Sequence, residues 1–161
     1  MFKFLISILL LSSLSGCSTW GNNLWSNSSS LPTVVTYSMY ATDSINPNMS
    51  GNATPVEFQV FELSDDSMFL SAGFDQLVDD AKAALKSNYV DHRDYVLSPG
   101  QFKFIEPFKL DSETFYIGVM ARYANPDISD WKKVIKVLPV DHRYHLFLYL
   151  DGNQVELKKV E

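Results

Sequence analysis

The sequence predicts a mainly β protein, a β-sandwich of about eight strands with one inserted amphipathic helix. Three observations carry that expectation. Apolar and polar residues alternate with period two in short stretches from Leu31 onward. Turn residues separate those stretches. Helical spacing of apolar residues is sustained once, near residue 80.

Val35, Tyr37, Met39 and Ala41 share one face of the first strand, opposite Thr36, Ser38 and Tyr40. Asp43 to Pro55 interrupts it with two prolines, a glycine and three asparagines. That loop is far longer than the roughly 2–5 residues of a hairpin, and long loops on rigid scaffolds often carry function. A passive excursion is the other reading. Val56 to Leu63 is the second strand, and residues 64–72 suit a short helical turn. Phe74, Leu77, Val78, Ala81 and Leu85 then mark a helix over about Gly73 to Ser87, with acids early and lysines late to suit its dipole. Strands follow at Tyr89 to Leu97, Phe102 to Leu110, Thr114 to Tyr123, Trp131 to Val140, Tyr144 to Leu150 and Gln154 to Val160. Ser98-Pro99-Gly100 and Asp151-Gly152 supply turns. Pro107 marks its strand as an edge or a bulge. Residues 144–150 are apolar on both faces, which suits a central strand. Residues 124–130, with Asn125-Pro126, form a second exposed loop.

The N-terminus is organised differently. Lys3 precedes an apolar run, Phe4 to Leu11, and then Leu14-Ser15-Gly16-Cys17. The run is too short to span a bilayer, which takes about 20 apolar residues, and has the form of a secretory signal. The last four residues resemble the bacterial lipobox, in which the cysteine thiol receives diacylglycerol and the chain is cut before it. An ordinary signal peptide ahead of a free thiol is the alternative. Thiol nucleophilicity explains why cysteine holds that place. Two or more acyl chains make such an anchor stable. The division expected is residues 1–16 as signal, 17–31 as lipidated N-terminus and flexible tether, and 32–161 as the sandwich. Trp20 and Trp25 in the Ser/Asn-rich tether suit a lipid–water interface, or are incidental exposed rings.

Cleavage before Cys17 leaves 12 basic and 19 acidic side chains, a formal charge of −7. Taken over the whole surface, this disfavours nucleic acid and anionic lipid headgroups as partners. The single cysteine permits no internal disulfide, so packing must hold the domain, and 11 Phe, 8 Tyr and 3 Trp can supply the area. The chain lacks Gly-x-Ser-x-Gly, P-loop and Gly-x-Gly-x-x-Gly motifs. Val90-Asp91-His92-Arg93 recurs as Val140-Asp141-His142-Arg143, which with His145 uses all three histidines. A three-imidazole metal site can be drawn from them, but solvated strand ends read the same way. Asp65-Asp66 and Asp79-Asp80 are adjacent pairs whose side chains point apart. The expectation is no enzyme, no metal, no cofactor beyond a lipid on Cys17, and no small-molecule substrate. A small ligand or peptide held between the sheets is the alternative.

From about Val34 to Leu150 the chain resembles the outer-membrane lipoprotein of the type VI secretion system, the TssJ family. The resemblance rests on an ordered set of residues. These are Asn46 in the first long loop, Pro55 to Leu63, the trio Phe69, Phe74 and Leu77, Leu97-Ser98-Pro99-Gly100, Ile117 to Tyr123, and Trp131. Phe61 stands where that family often has tyrosine. The resemblance implies a transthyretin-like sandwich with helical additions. It also implies a structural role on the periplasmic face of the outer membrane, bound to the periplasmic region of the inner-membrane protein TssM. Ser18 after Cys17, where aspartate usually means inner-membrane retention, agrees with the outer membrane. The family's contact loop maps to Ser44–Thr54. Ile45, Asn46, Pro47, Asn48, Met49, Ser50, Gly51 and Asn52 are the expected partner-binding residues, with apolar Ile45 and Met49 as anchors.

Overall fold

A computed structural model describes residues 30–160. The expected signal segment, Cys17 and most of the tether lie outside those residues. Residues 31–160 form two four-stranded sheets. One has the order β4-β1-β7-β8, from β4 (Phe102–Lys109), β1 (Val34–Ala41), β7 (Arg143–Asp151) and β8 (Gln154–Val160). The other has the order β3-β2-β5-β6, from β3 (Tyr89–Leu97), β2 (Val56–Leu63), β5 (Tyr116–Arg122) and β6 (Lys132–Lys136). The sandwich of eight strands expected from the alternation is what forms.

The inward faces make the main core. Val35, Tyr37, Met39 and Ala41 from β1 meet Val56, Phe58 and Val60 from β2 and Ile117, Val119 and Ala121 from β5. Side chains fill this space, as interiors packed to near-crystal density do. β7 is a central strand, as its two apolar faces suggested, and pairs parallel with β1. β4 is an edge, and its pairing slips opposite residues 106 and 107, where Pro107 has no N–H to give.

β2 and β5 are buried on both faces because helices cover the outer side of their sheet. α1 (Ser67–Ser71) and α2 (Phe74–Leu85) connect β2 to β3. They build a second core of Phe61, Leu63, Phe69, Leu77, Leu85 and Met120. Gly118 of β5 lets α1 approach, since a Cβ there would stand 3.0 Å from the Phe69 ring. Lys132 of β6 then ties the end of α1 down. Its Nζ donates to the carbonyls of Phe69, Leu70 and Ala72 at 3.0, 2.7 and 2.8 Å. These are carbonyls that a short helix leaves unpaired at its C-terminus.

Two details differ from the sequence reading. The short helical turn expected over residues 64–72 forms as α1, but the helix after it, α2, bends at Asp80 (φ −155°, ψ 86°). The Asp80 carboxylate accepts the Ala83 N–H at 3.0 Å and so caps the second piece. The sixth strand is also shorter than 131–140. Past Lys136 the chain turns toward the other sheet, Pro139 offers no N–H, and the Leu138 N–H bonds the Tyr144 hydroxyl.

Candidate functional site

The long connection from β1 to β2 crosses from one sheet to the other, and it has two parts that behave differently. Its base is part of the core. Ile45 is 0% exposed and packs with the sandwich interior. The expectation that Ile45 offers an exposed anchor is therefore corrected. The Thr54 N–H returns to the Ile45 carbonyl at 3.2 Å, closing the loop above a buried side chain.

Asn46 is the pin of this base. It is buried and holds a positive φ of 48°, a conformation asparagine tolerates better than most residues. Its Nδ2 donates to Thr54 Oγ1 at 3.0 Å and to the Pro55 carbonyl at 2.9 Å. Its Oδ1 accepts the Ala124 N–H at 2.7 Å. Its backbone N–H donates to the Gly152 carbonyl at 2.8 Å, and its carbonyl accepts the Thr54 hydroxyl at 2.7 Å. The side chain thus ties its own connection to the one between β5 and β6, and the backbone N–H adds the turn between β7 and β8. Asn46 is here a fastener of the loop, and its amide is not offered to a partner.

The tip is exposed and organised by Asn48. Its Oδ1 accepts the N–H groups of Ser50 and Asn52 at 2.9 and 3.0 Å. Its N–H donates to the Asn52 carbonyl at 2.9 Å, and its carbonyl accepts the Gly51 N–H at 2.8 Å. Gly51 has φ 78°, which closes the turn without strain. Pro47 leads into the tip half-buried, and Ser50 and Asn52 are exposed. Met49 is fully exposed at the apex. A flexible thioether side chain held out on a hydrogen-bonded turn is a suitable contact for an apolar cleft.

The bond from Asn46 to Ala124 brings the second loop, residues 124–130, to the same end of the molecule. There Ile128 is also largely exposed, in the short 3₁₀ turn Pro126–Ile128. The sequence reading did not single out Ile128, and a lone isoleucine among Asn, Pro, Asp and Ser was the available signal.

The histidines do not converge. His92 lies against Phe61 on the outer side of one sheet, with ring centroids 5.7 Å apart. His145 lies on the outer side of the other sheet, bonded to Thr36 and Ser38 at 3.1 and 2.9 Å. Sheets of a sandwich stand about 10 Å apart, so no ion bridges the two. Among the described residues no group of three potential ligands gathers. The most buried carboxylate among the described residues, Glu62, sits at the opposite end of β2 from the first long loop and accepts bonds from Arg93, Asp111 and Thr114. Those are structural partners.

The fold and this end of it define a small β-sandwich that presents a stiff, protruding loop. The family model for type VI secretion lipoproteins (SciN, VasD, EvfM, TssJ) matches residues 33–154, and the chain belongs to that family. No curated protein matches it. Among solved structures it is similar to the type VI secretion lipoprotein TssJ1 of Pseudomonas aeruginosa. The two are 28% identical with a TM-score of 0.76, over 81% of this chain and 98% of that one. It shares its fold with Serratia marcescens Lip, a membrane-bound component of the type VI secretion system, at 24% identity and a TM-score of 0.69, over 81% and 100% of the two chains. It also shares its fold with a chain in the structure of the TssM C-terminal domain from EAEC, at 21% identity and a TM-score of 0.66, over 77% and 99%. The transthyretin-like sandwich of the family is the fold described above. No helix among the described residues is long and apolar enough to cross a membrane.

Proposed function

We propose that this chain is the outer-membrane lipoprotein of a type VI secretion membrane complex, anchored by lipid on Cys17. In this reading it performs no catalysis. It docks the periplasmic region of the inner-membrane protein TssM through the tip of its first loop. The observation that carries this is the construction of that loop, a buried fastener at Asn46 beneath a self-bonded tip with Met49 at its apex. A preorganised tip loses little entropy on binding. The structure of the TssM C-terminal domain that holds a chain of the same fold is consistent with that partner. Within the expected set, Pro47, Asn48, Met49, Ser50, Gly51 and Asn52 form the contact. Ile45 and Asn46 support it from below. A ligand held between the sheets is disfavoured because core side chains occupy that space.

Binding of the mature chain to a TssM periplasmic fragment tests this. Met49→Asp should weaken the complex about tenfold, about 1.4 kcal/mol, with an unchanged melting temperature. Unaltered affinity would remove Met49 from the contact. The anchor has its own expected outcome. Cys17→Ser should leave the protein soluble in the periplasm and abolish secretion, read by fractionation and by effector release. Normal secretion by that variant would show the anchor to be dispensable.

A further inference from the structure

The two sheets of the sandwich are finished differently on their outer sides. α1 and α2 cover one. Among the described residues no helix covers the outer side of β4-β1-β7-β8, yet it carries rings where a solvated face would be polar. Phe102 and Phe104 of β4 are 58% and 47% exposed. Tyr40 stacks on Tyr149 with centroids 6.1 Å apart, and Phe147 on Tyr149 at 6.0 Å. The pairing register places Phe102 beside Tyr40 and Tyr40 beside Tyr149, and Phe104 beside Ser38 and Ser38 beside Phe147. The rings therefore lie in two rows across one sheet.

Cations gather at the far end of this face. Lys109 and Arg143 flank Val34 from the two neighbouring strands. With Leu31, Pro32, Asp141 and His142 they line a surface pocket of about 470 Å³. Among the described residues neither Lys109 nor Arg143 meets a carboxylate within ion-pair distance, in a chain whose formal charge is −6. Lys158 lies on the same face beside Phe147 and pairs with Glu156. The chain joins the domain at this end, where Leu31 is 69% exposed and its N–H bonds Asp141.

We infer that this sheet face lies against the phospholipid leaflet to which the chain is tied, with rings in the interfacial zone and Lys109 and Arg143 on anionic headgroups. The inference rests on the lipid anchor at Cys17 proposed above. Only residues 18–30 separate Cys17 from Leu31, a reach of at most about 50 Å. β1 is about 26 Å long at the rise of a strand, so the whole face lies within that radius of the anchor. Tyrosine and other amphipathic rings favour the half-wet headgroup region, and basic side chains add attraction to anionic lipid. Met49 then projects from the end of the sandwich remote from Leu31, clear of the cationic end.

The lipidated mature chain in vesicles of phosphatidylethanolamine with phosphatidylglycerol tests this. Nitroxide labels go on Phe104→Cys and, as an aqueous reference on the other sheet, Val96→Cys. Cys17, once acylated, does not react. The label at 104 should collide several-fold less with a water-soluble nickel complex than the label at 96, and more with oxygen. Lys109→Glu with Arg143→Glu should remove at least half of that difference. Equal collision rates at 104 and 96 overturn the inference. So does shielding at 104 that appears without lipid and rises with protein concentration, which would assign the face to a second copy. Shielding that requires added peptidoglycan fragments also overturns it. A mass showing Cys17 unmodified fails the anchor itself. An acylated chain with an aqueous label at 104 fails this inference alone.

Discussion

Asn46→Ala is expected to lower stability by about 3 kcal/mol and to release the tip of the first loop. The substitution removes three side-chain hydrogen bonds, each worth about 1 kcal/mol net. It leaves the Ala124 N–H and the Pro55 carbonyl without partners in a part-buried place. It also puts a β-carbon at φ 48° without the local hydrogen bonding that lets asparagine sit there. Against a total of roughly 5–15 kcal/mol for a domain, that is a large share. Asn46→Gly separates the two causes, because glycine adopts the positive φ freely but makes none of the bonds. The melting temperature should therefore fall in the order wild type, Gly, Ala. Hydrogen exchange gives the local readout: the amides of Ser50, Gly51 and Asn52 should speed up through local opening, while those of β2 and β5 lose only the protection that the lower global stability removes. If Ala and Gly both melt with the wild type, the fastening role assigned to this amide is wrong.

That role was only partly visible in the residues. An asparagine in a polar loop reads as solvent-facing, and the three groups its side chain bonds lie 8, 9 and 78 positions away. Ile45 was misread for the same reason. Its neighbours are polar, so its side chain looks exposed until the loop closes over it. Period-two alternation carried the strands well, because one face of each strand meets the core. It carried β2 and β5 less completely. Phe61, Leu63 and Met120 are buried on the outer side only because α1 and α2 lie there. The docking of α1 depends on Lys132, some sixty residues away, and in the sequence nothing sets it apart from Lys133 and Lys136 of the same strand. Burial pulls its ammonium below the ordinary lysine range. The apolar run 144–150 correctly marked a central strand. The position is central, but among the described residues no layer covers one of its two apolar faces, and alternation cannot distinguish those cases.

Glu62→Ala is expected to cost about 3 kcal/mol, the low end of what breaking a buried ion pair costs. The carboxylate is 3% exposed at the end of β2. Its Oε1 accepts from Arg93 Nη1 at 3.0 Å, and its Oε2 accepts from the Asp111 N–H and the Thr114 hydroxyl at 3.1 and 2.8 Å. Alanine leaves the Thr114 hydroxyl buried without that acceptor, and a buried polar group without a partner costs about 1–3 kcal/mol. Arg93 is a partial exception. Its side chain is about a third exposed and its guanidinium lies 3.8 Å over the Phe108 ring, so water and the ring recover part of the loss. This is why the estimate stays at the low end. Glu62→Gln keeps an acceptor for Thr114 and loses the charge, so it should cost about half as much. The pair ties β2 and β3 to the β4–β5 connection, at the end of β2 away from the first loop. Glu62→Ala should accordingly lower the melting temperature while leaving the affinity of the folded protein for a TssM fragment unchanged. Weakened binding by fully folded Glu62→Ala would mean that the docking surface extends well beyond the first loop.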